Sequence, residues 1–449
     1  MKRQIENDLI KWKKNPHKKP LIIKGSRQVG KTFCIREFAK AQYHDFIEIN
    51  FERNLKMVDL FNKTREPNEL LEYLKITYMD SVFDENTLLF LDEVQACPSA
   101  LTTLKFMSES FPCDIICSGS LLGIAIASTS SFPVGYVETW TLYPMSFLEF
   151  LDAYGLPDDI MKKINQSLDN LKKIPEIIHE KMNELFTTYM MTGGMPEVVS
   201  TYIETKSYRE CLTIQRRIVN DYISDMAKYA HASDKIKAKE CFLSIPIQLA
   251  KENKKFQYGV VKKGYNARYY DSSLQWLQDN GMIIKVNRLS HISTPLASAV
   301  ELPIFKVYMA DVGLFISQLE DGEIQKIISG DLGIFKGALY ENMAAQIFQR
   351  KHKKCYYFEP SQTTEIDFII EYEGEITPID IKAGLNTASK SFKNFVEKYK
   401  PIHAFRFSQK NIGIAKEGNI VYLPLYLLEI LLEHEVPISF DLPINNEKS

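Results

Sequence analysis

The sequence predicts an α/β protein in four parts: a parallel sheet wrapped by helices, a helical segment, a few short helices with two strands, and a second α/β unit. Three observations carry this reading. Short apolar runs alternate with helical patterns over residues 1–150, strand signals vanish from about 145 to 229, and strands mixed with helices return from about 319. At 449 residues the chain has length for about three domains with real cores. The expected boundaries are 1–150, 151–232, 233–316 and 317–449.

In the first part strands are expected at 20–24, 45–50, 87–91, 114–117 and 136–142, with helices beginning near Lys31, Asn68 and Pro98, a doubly wound arrangement. Apolar residues then recur at helical spacing, as in Phe147, Phe150 and Leu151 or Leu185, Tyr189 and Met190, which predicts a helical lid. Residues 235–315 give two or three short helices up to Asn280-Gly281, then strands at 282–286 and 304–309 around a polar loop with Pro295 and Pro303. Helices followed by a two-stranded wing are the pattern of a winged helix. The last part reads as a helix at 337–350, strands at 355–358, 365–372 and 377–382, a helix at 389–398 and a strand at 403–407. Residues 444–449 are expected to fray.

Composition is that of a globular chain, 45% apolar and 25% charged. Fifty-five Lys and Arg face 57 Asp and Glu, a net of −2, so any nucleic-acid contact must come from a local basic face. Seven scattered cysteines form no disulfide framework, and the close pair Cys113 and Cys117 lacks zinc-site spacing, which fits reduced thiols in a cytoplasm. The N-terminus has charge but no apolar stretch behind it, so no export is expected. The greasiest segment, 423–432, is broken by Pro424 and Glu429 and falls short of the ~20 residues of a membrane span; it reads as a buried strand running into a helix. The eight histidines show no metal-binding spacing and no Gly-x-Ser-x-Gly elbow occurs, so zinc and serine hydrolases are not supported.

The strongest motif is Gly25-Ser26-Arg27-Gln28-Val29-Gly30-Lys31-Thr32, a full G-x-x-x-x-G-K-[ST] match, followed by Phe33 and lying between a strand and a helix. Its two glycines let successive backbone N–H groups and the positive end of the next helix face the phosphates of ATP. Lys31 is the candidate charge for the β- and γ-phosphates, and the Thr32 hydroxyl a candidate ligand for Mg²⁺. A second strand runs into Asp92-Glu93, placing two carboxylates at its carboxyl end. Asp92 would hold Mg²⁺ through water, and Glu93 would polarise the attacking water. A third strand ends in Ser118-Gly119-Ser120, whose hydroxyls either sense the γ-phosphate or simply make a turn.

With these motifs in order, the N-terminal part resembles an AAA-type P-loop ATPase. The segments 19–32, 89–95, 118–120, 137–150 and 193–198, with 305–314 and 337–342 further on, are similar to a large prokaryotic family that joins such a core to a C-terminal domain of unknown function. The resemblance implies ATP binding and hydrolysis with Mg²⁺, and a homo-oligomer among the candidate partners. In that family Gly-Arg usually precedes the Val137-Glu-Thr strand, whereas this chain has Gly135-Tyr136; Arg216 and Arg217 in the lid are the substitutes to test.

In the last part Glu341 lies on a helix, Asp367 on a strand, and Asp380 and Lys382 on the next strand, two apart and therefore on one face. The three carboxylates could converge on Mg²⁺, Asp367 and Asp380 as metal ligands, with Lys382 positioning the attacking water. Order and spacing resemble the PD-(D/E)XK nuclease superfamily, which implies a nuclease-like fold; either it cuts DNA or it keeps the fold for binding alone. Finally, residues 251–268 carry Lys251, Lys254, Lys255, Lys262, Lys263 and Arg268 against Glu252 alone, with Tyr258, Tyr265, Tyr269 and Tyr270 interleaved. With the helix expected from about 266 to 279, this is either a DNA-contacting face reaching to about residue 280 or a solvated helix surface.

Overall fold

The computed structural model describes residues 1–120, 132–229, 235–361, 364–384, 389–415 and 419–435. The tail at 444–449 expected to fray lies outside them.

The first unit contains α1 (Ile5–Lys14), β1 (Leu21–Lys24), α2 (Lys31–Gln42), β2 (Asp45–Asn50), α3 (Leu55–Lys63), α4 (Pro67–Thr77), β3 (Thr87–Asp92), α5 (Pro98–Ser110), β4 (Asp114–Gly119) and β5 (Glu138–Thr141). Its five strands are all parallel in the order β2-β3-β4-β1-β5. The period of two along each strand sorts the side chains. Leu21, Ile23, Leu88, Phe90 and Ile116 pack toward α1 and α2, whereas Ile22, Leu89, Leu91, Ile115 and Cys117 pack with α3, α4 and α5 in a second core. Strand β3, an unbroken apolar run, is buried at all its positions, as a central parallel strand must be. Helices α1 and α3 were not among the sequence expectations.

The lid is helical throughout: α6 (Phe147–Tyr154), α7 (Asp158–Asp169), α8 (Glu176–Thr192), α9 (Pro196–Thr205) and α10 (Tyr208–Tyr229). Beyond it come α11 (Lys235–Leu249), the short α12 (Tyr258–Val261), α13 (Ala267–Asp279), β6 (Ile283–Leu289) and β7 (Val300–Met309). The final unit has α14 (Val312–Ser317), α15 (Asp321–Ile328), α16 (Lys336–Arg350), β8 (Cys355–Ser361), β9 (Thr364–Tyr372), β10 (Glu375–Ile381), α17 (Lys390–Tyr399), β11 (Ala404–Ser408), β12 (Gly413–Ile414), β13 (Ile420–Pro424) and α18 (Leu428–Glu433). The segment 423–432 does run from a strand into a helix, through one 3₁₀ turn. Among the described residues no helix is long and apolar enough to cross a membrane.

The two strands expected as a wing do form an antiparallel hairpin, yet β6 also pairs in parallel with β8, Arg288 opposite Tyr357. The hairpin is therefore the outer pair of one eight-stranded mixed sheet, β12-β13-β11-β10-β9-β8-β6-β7. Helix α16 seals this junction with its own polar groups: Met309 N–H donates to Asn342 Oδ1 at 2.8 Å, Asn342 Nδ2 returns a bond to Met309 O at 3.0 Å, and Gln346 reaches Ala310 O at 2.6 Å. One apolar core runs from α1 and α2 through the lid to α16 and β11.

Candidate nucleotide site and C-terminal carboxylate cluster

Strand β1 delivers the chain into the glycine-rich loop and α2 carries it away. Gly25 has φ of +152°, and a Cβ there would lie 2.2 Å from Leu142 O, so the loop can pass β5 only as glycine. Lys31 is buried and folds across the loop, donating to Gly25 O and Ser26 O at 2.9 Å each. Burial pushes its ammonium down to about 8, against the pull of Glu93 and Asp92. Those two carbonyls hold the charge where phosphate oxygens would take it over.

Asp92 is 3% exposed and draws in three side chains. Ser118 donates to its Oδ1, Thr32 Oγ1 lies 3.3 Å from Oδ2, and Asn50 Nδ2 donates to Oδ2 at 3.1 Å. Parallel pairing explains the convergence, because β2, β3 and β4 bring Asn50, Asp92 and Ser118 to the same carboxyl edge. A hydroxyl and a buried carboxylate side by side are a donor set suited to Mg²⁺. Asn50 was missed in the sequence, where nothing but its place at a strand end marks it. Glu93 adopts a left-handed backbone, φ +54°, which turns its side chain out of the strand line, and Gln95 donates to its Oε2.

Arg27 and Gln28 are held from the lid. Tyr222 OH donates to Arg27 O at 3.1 Å, Gln28 Nε2 to Asp221 at 2.7 Å, and Arg27 pairs with Asp225 at 2.8 Å, all three partners being on α10. Burial raises the Asp225 carboxyl to about 6, with Arg27 opposing. Val29 is completely buried, Phe33 half exposed. Beside Gly25 a cavity of about 120 Å³ is lined by Ser120, Tyr143, Asn280 and Gly281. Ser120 thus lies at the loop, buried, and among the described residues its Oγ has no hydrogen-bond partner.

Arg3 was also missed. It is 4% exposed and spans three segments: Nη1 donates to Val29 O at 2.8 Å, Nη2 to Tyr143 O at 2.8 Å, and Nε pairs with Glu149 at 2.9 Å. Arg216 and Arg217 are engaged elsewhere, Arg216 with Asp321 and Ser317 O, Arg217 with Glu197.

Residues 17–151 match the family model of an AAA domain. Over these residues the chain is similar to AAA domains, and the glycine-rich loop between β1 and α2 is their P-loop. Residues 183–324 match a domain of unknown function (DUF8612) and residues 336–428 another (DUF4143), so the AAA domain is followed by two units whose descriptions name no activity. No curated protein matches the chain. Among solved structures, the Walker-type ATPase of Pyrococcus abyssi is 14% identical, covering 71% of this chain and 95% of its own, with a TM-score of 0.45. Cdc6p from Pyrobaculum aerophilum is 14% identical over 74% of this chain and 93% of its own, and the Aeropyrum pernix ORC1 protein in complex with DNA 11% over 73% and 91%, each with a TM-score of 0.27. At identities this low and superpositions this loose, no ligand or partner transfers to the AAA domain or to the units behind it.

In the C-terminal unit Glu341 and Asp367 come together with Glu365, whereas Asp380 joins them only through Lys382, which corrects the expected convergence of the Glu341, Asp367 and Asp380 carboxylates. Carboxylate oxygens of Glu341, Glu365 and Asp367 lie within 4.8 Å of one another. Glu365 sits two residues before Asp367 on β9, the same-face spacing that singled out Asp380 and Lys382. Cations already fill the cluster. Glu341 is bound by Lys254 and by Lys306 at 3.2 Å and accepts from Tyr308 OH at 2.9 Å; Lys306 also pairs with Glu365. Asp380 is paired with Lys382 at 2.9 Å and Arg406 at 2.8 Å, while Lys382 stands 3.9 Å from Asp367. Burial raises Asp367 to about 7, helped by Glu341, whereas Lys254 and Lys306 hold Glu341 below the usual carboxylate range despite its burial. Of the basic segment, Lys254 and Lys255 point inward, Lys254 onto Glu341 and Lys255 onto Glu359 at 2.7 Å, so these two do not add to an exposed positive face. Lys251, Lys262, Lys263, Arg268 and Tyr269 are exposed.

Proposed function

We propose that the chain is a Mg²⁺-dependent ATP-hydrolysing switch whose C-terminal unit is a catalytically silent platform. The observation that carries the ATPase reading is the convergence of Thr32, Asn50 and Ser118 on the Asp92 carboxylate, one strand end from Glu93 and Lys31. Gly25, Ser26, Arg27, Gln28, Val29, Gly30, Lys31, Thr32 and Phe33 would cradle ATP, Thr32 and Asp92 would hold Mg²⁺, and Ser118 and Ser120 would read the γ-phosphate. Glu93 would orient the attacking water. Entry of phosphate between Lys31 and the loop carbonyls would change what α10 grips through Arg27 and Gln28, and so move the lid.

Charge balance supports the silent platform. The four carboxylates of Glu341, Glu365, Asp367 and Asp380 are met by Lys254, Lys306, Lys382 and Arg406, which neutralise the cluster with no divalent ion. A metal entering there would have to displace the buried Lys306 ammonium and the partly exposed ones of Lys254 and Lys382. A partner face fits the exposed cations near the start of α13, since the far end of that helix, about 20 Å away at 1.5 Å per residue, meets the loop, Gly281 standing against Ser26 N. DNA is the partner such a face would take, its affinity falling with salt. The test is cleavage of single- and double-stranded DNA with Mg²⁺ or Mn²⁺, with and without ATP, comparing wild type with Asp367→Ala. No cutting under any condition is expected; cutting that Asp367→Ala abolishes would restore Glu341, Asp367, Asp380 and Lys382 as a working nuclease centre.

A further inference from the structure

Helix α11 is apolar on both sides. Ala238, Cys241, Phe242, Ile245 and Leu249 face the core, while the outer stripe, spaced three and four apart, is Ile236, Lys239, Leu243 and Ile247, with Lys251 just past the helix end. Ile236 is 73% and Ile247 61% exposed, unusual for isoleucines on an ordered helix. A helix apolar all round is normally covered on every side.

A second exposed apolar stripe has the opposite charge. On α4 and the turn after it, Tyr73, Ile76 and Met79 are exposed, Met79 by 84%, and exposed Glu69, Glu72 and Asp80 flank them. Residues 65–86 hold six acids against Arg65 and Lys75. The α11 stripe thus offers three apolar side chains in a helical row framed by lysines, and the second stripe offers Tyr73 and Ile76 on α4 with Met79 in the turn beyond it, framed mainly by carboxylates, with Lys75 exposed among them.

We propose that the α11 stripe of one chain docks on the α4 stripe of a second copy, a head-to-tail contact. Charge complementarity selects this occupant: pairing α11 with α11 would gather lysines, and pairing α4 with α4 would gather glutamates, whereas α11 on α4 sets Lys239 and Lys251 against Glu69, Glu72 and Asp80 while burying both apolar rows. The stripes lie on different units and face outward, so one chain uses both at once and the contact propagates from copy to copy. It is separate from the basic surface around Lys262, Lys263 and Arg268, because aliphatic side chains in the row are suited to a protein face and not to phosphates.

Sedimentation velocity on the full chain, with and without Mg-ATP, tests this. Wild type should show a mass that rises with concentration to roughly twice that of one chain or more. Two variants break opposite ends: Leu243→Asn with Ile247→Asn on α11, which strips its apolar row and keeps its lysines, and Ile76→Lys with Glu72→Lys on α4, so that the two altered stripes repel each other. Each alone should remain a single chain, yet an equimolar mixture should form a dimer and stop there, because one intact α11 stripe meets one intact α4 stripe. Recovery of assembly in the mixture also shows that both variants are folded. A dimer of the α4 variant alone would mean that α11 pairs with itself and would overturn the proposal. So would a wild type that stays a single chain throughout, or that associates only on anionic lipid vesicles.

Discussion

Arg3 and Glu149 form a buried ion pair, 2.9 Å between Nε and Oε1, that ties the start of the chain to the first turn of α6. The same glutamate accepts from Gln4 N–H at 2.7 Å and from Ser146 N–H at 2.8 Å, closing the capping box in which Ser146 accepts from Glu149 N–H. Through its other nitrogens Arg3 holds Val29 O, so the phosphate loop, the end of β5 and the lid entrance share one guanidinium. Arg3→Met should cost about 3 kcal/mol, the range for breaking a buried pair. It should also weaken ATP binding, since the loop loses a fixed carbonyl. Glu149→Gln in the Arg3→Met background should cost less than in wild type, and urea unfolding of the four species gives that cycle.

Lys31 gives a pH signature. Its ammonium stands at about 8 in the nucleotide-free protein because burial disfavours the charge. Bound phosphates favour it and raise that value, so above pH 8 binding must take up a proton, and ATP affinity should fall by about tenfold per unit as pH rises further. Titration calorimetry at pH 9 in buffers of different ionisation heat should show uptake. Lys31→Ala should abolish it along with most of the affinity.

The junction between lid and middle unit depends on a glycine. Asp311 accepts from Gly194 N–H at 2.7 Å and from Leu314 N–H at 3.0 Å, and a Cβ at Gly193 would lie 2.2 Å from Asp311 Oδ1 and 2.8 Å from Gly313 N. Gly193→Ala should lower the melting temperature by several degrees, about 2 kcal/mol or more, since buried backbone cannot give way. Calorimetry checks it; an unchanged transition would contradict the packing.

Much of this architecture was legible because local signals agreed with the global fold. The runs Leu21-Ile22-Ile23 and Leu88-Leu89-Phe90-Leu91 are buried parallel strands, and a complete phosphate-loop motif sits between strand and helix where its chemistry needs it. What stayed hidden was made by contacts distant in sequence. Arg3 and Glu149 are 146 residues apart, and no periodicity in either segment announces the pairing. Asn50 acquires its place only from the β2–β3 register, and the union of β6 with β8 depends on two residue pairs that no local pattern encodes. Glu341, Asp367, Asp380 and Lys382 were found by spacing, but spacing said nothing of Lys254, Lys306 and Arg406, which arrive from other elements and change what the cluster can do.

The central claim is that Glu93 turns over ATP held by the loop that begins at Gly25. The most direct test measures Mg-ATP affinity and steady-state phosphate release for wild type and Glu93→Gln. The account predicts equal affinity and a turnover reduced by about 10²-fold or more, the scale for losing a group that positions the attacking water. Hydrolysis at the wild-type rate in Glu93→Gln would contradict it.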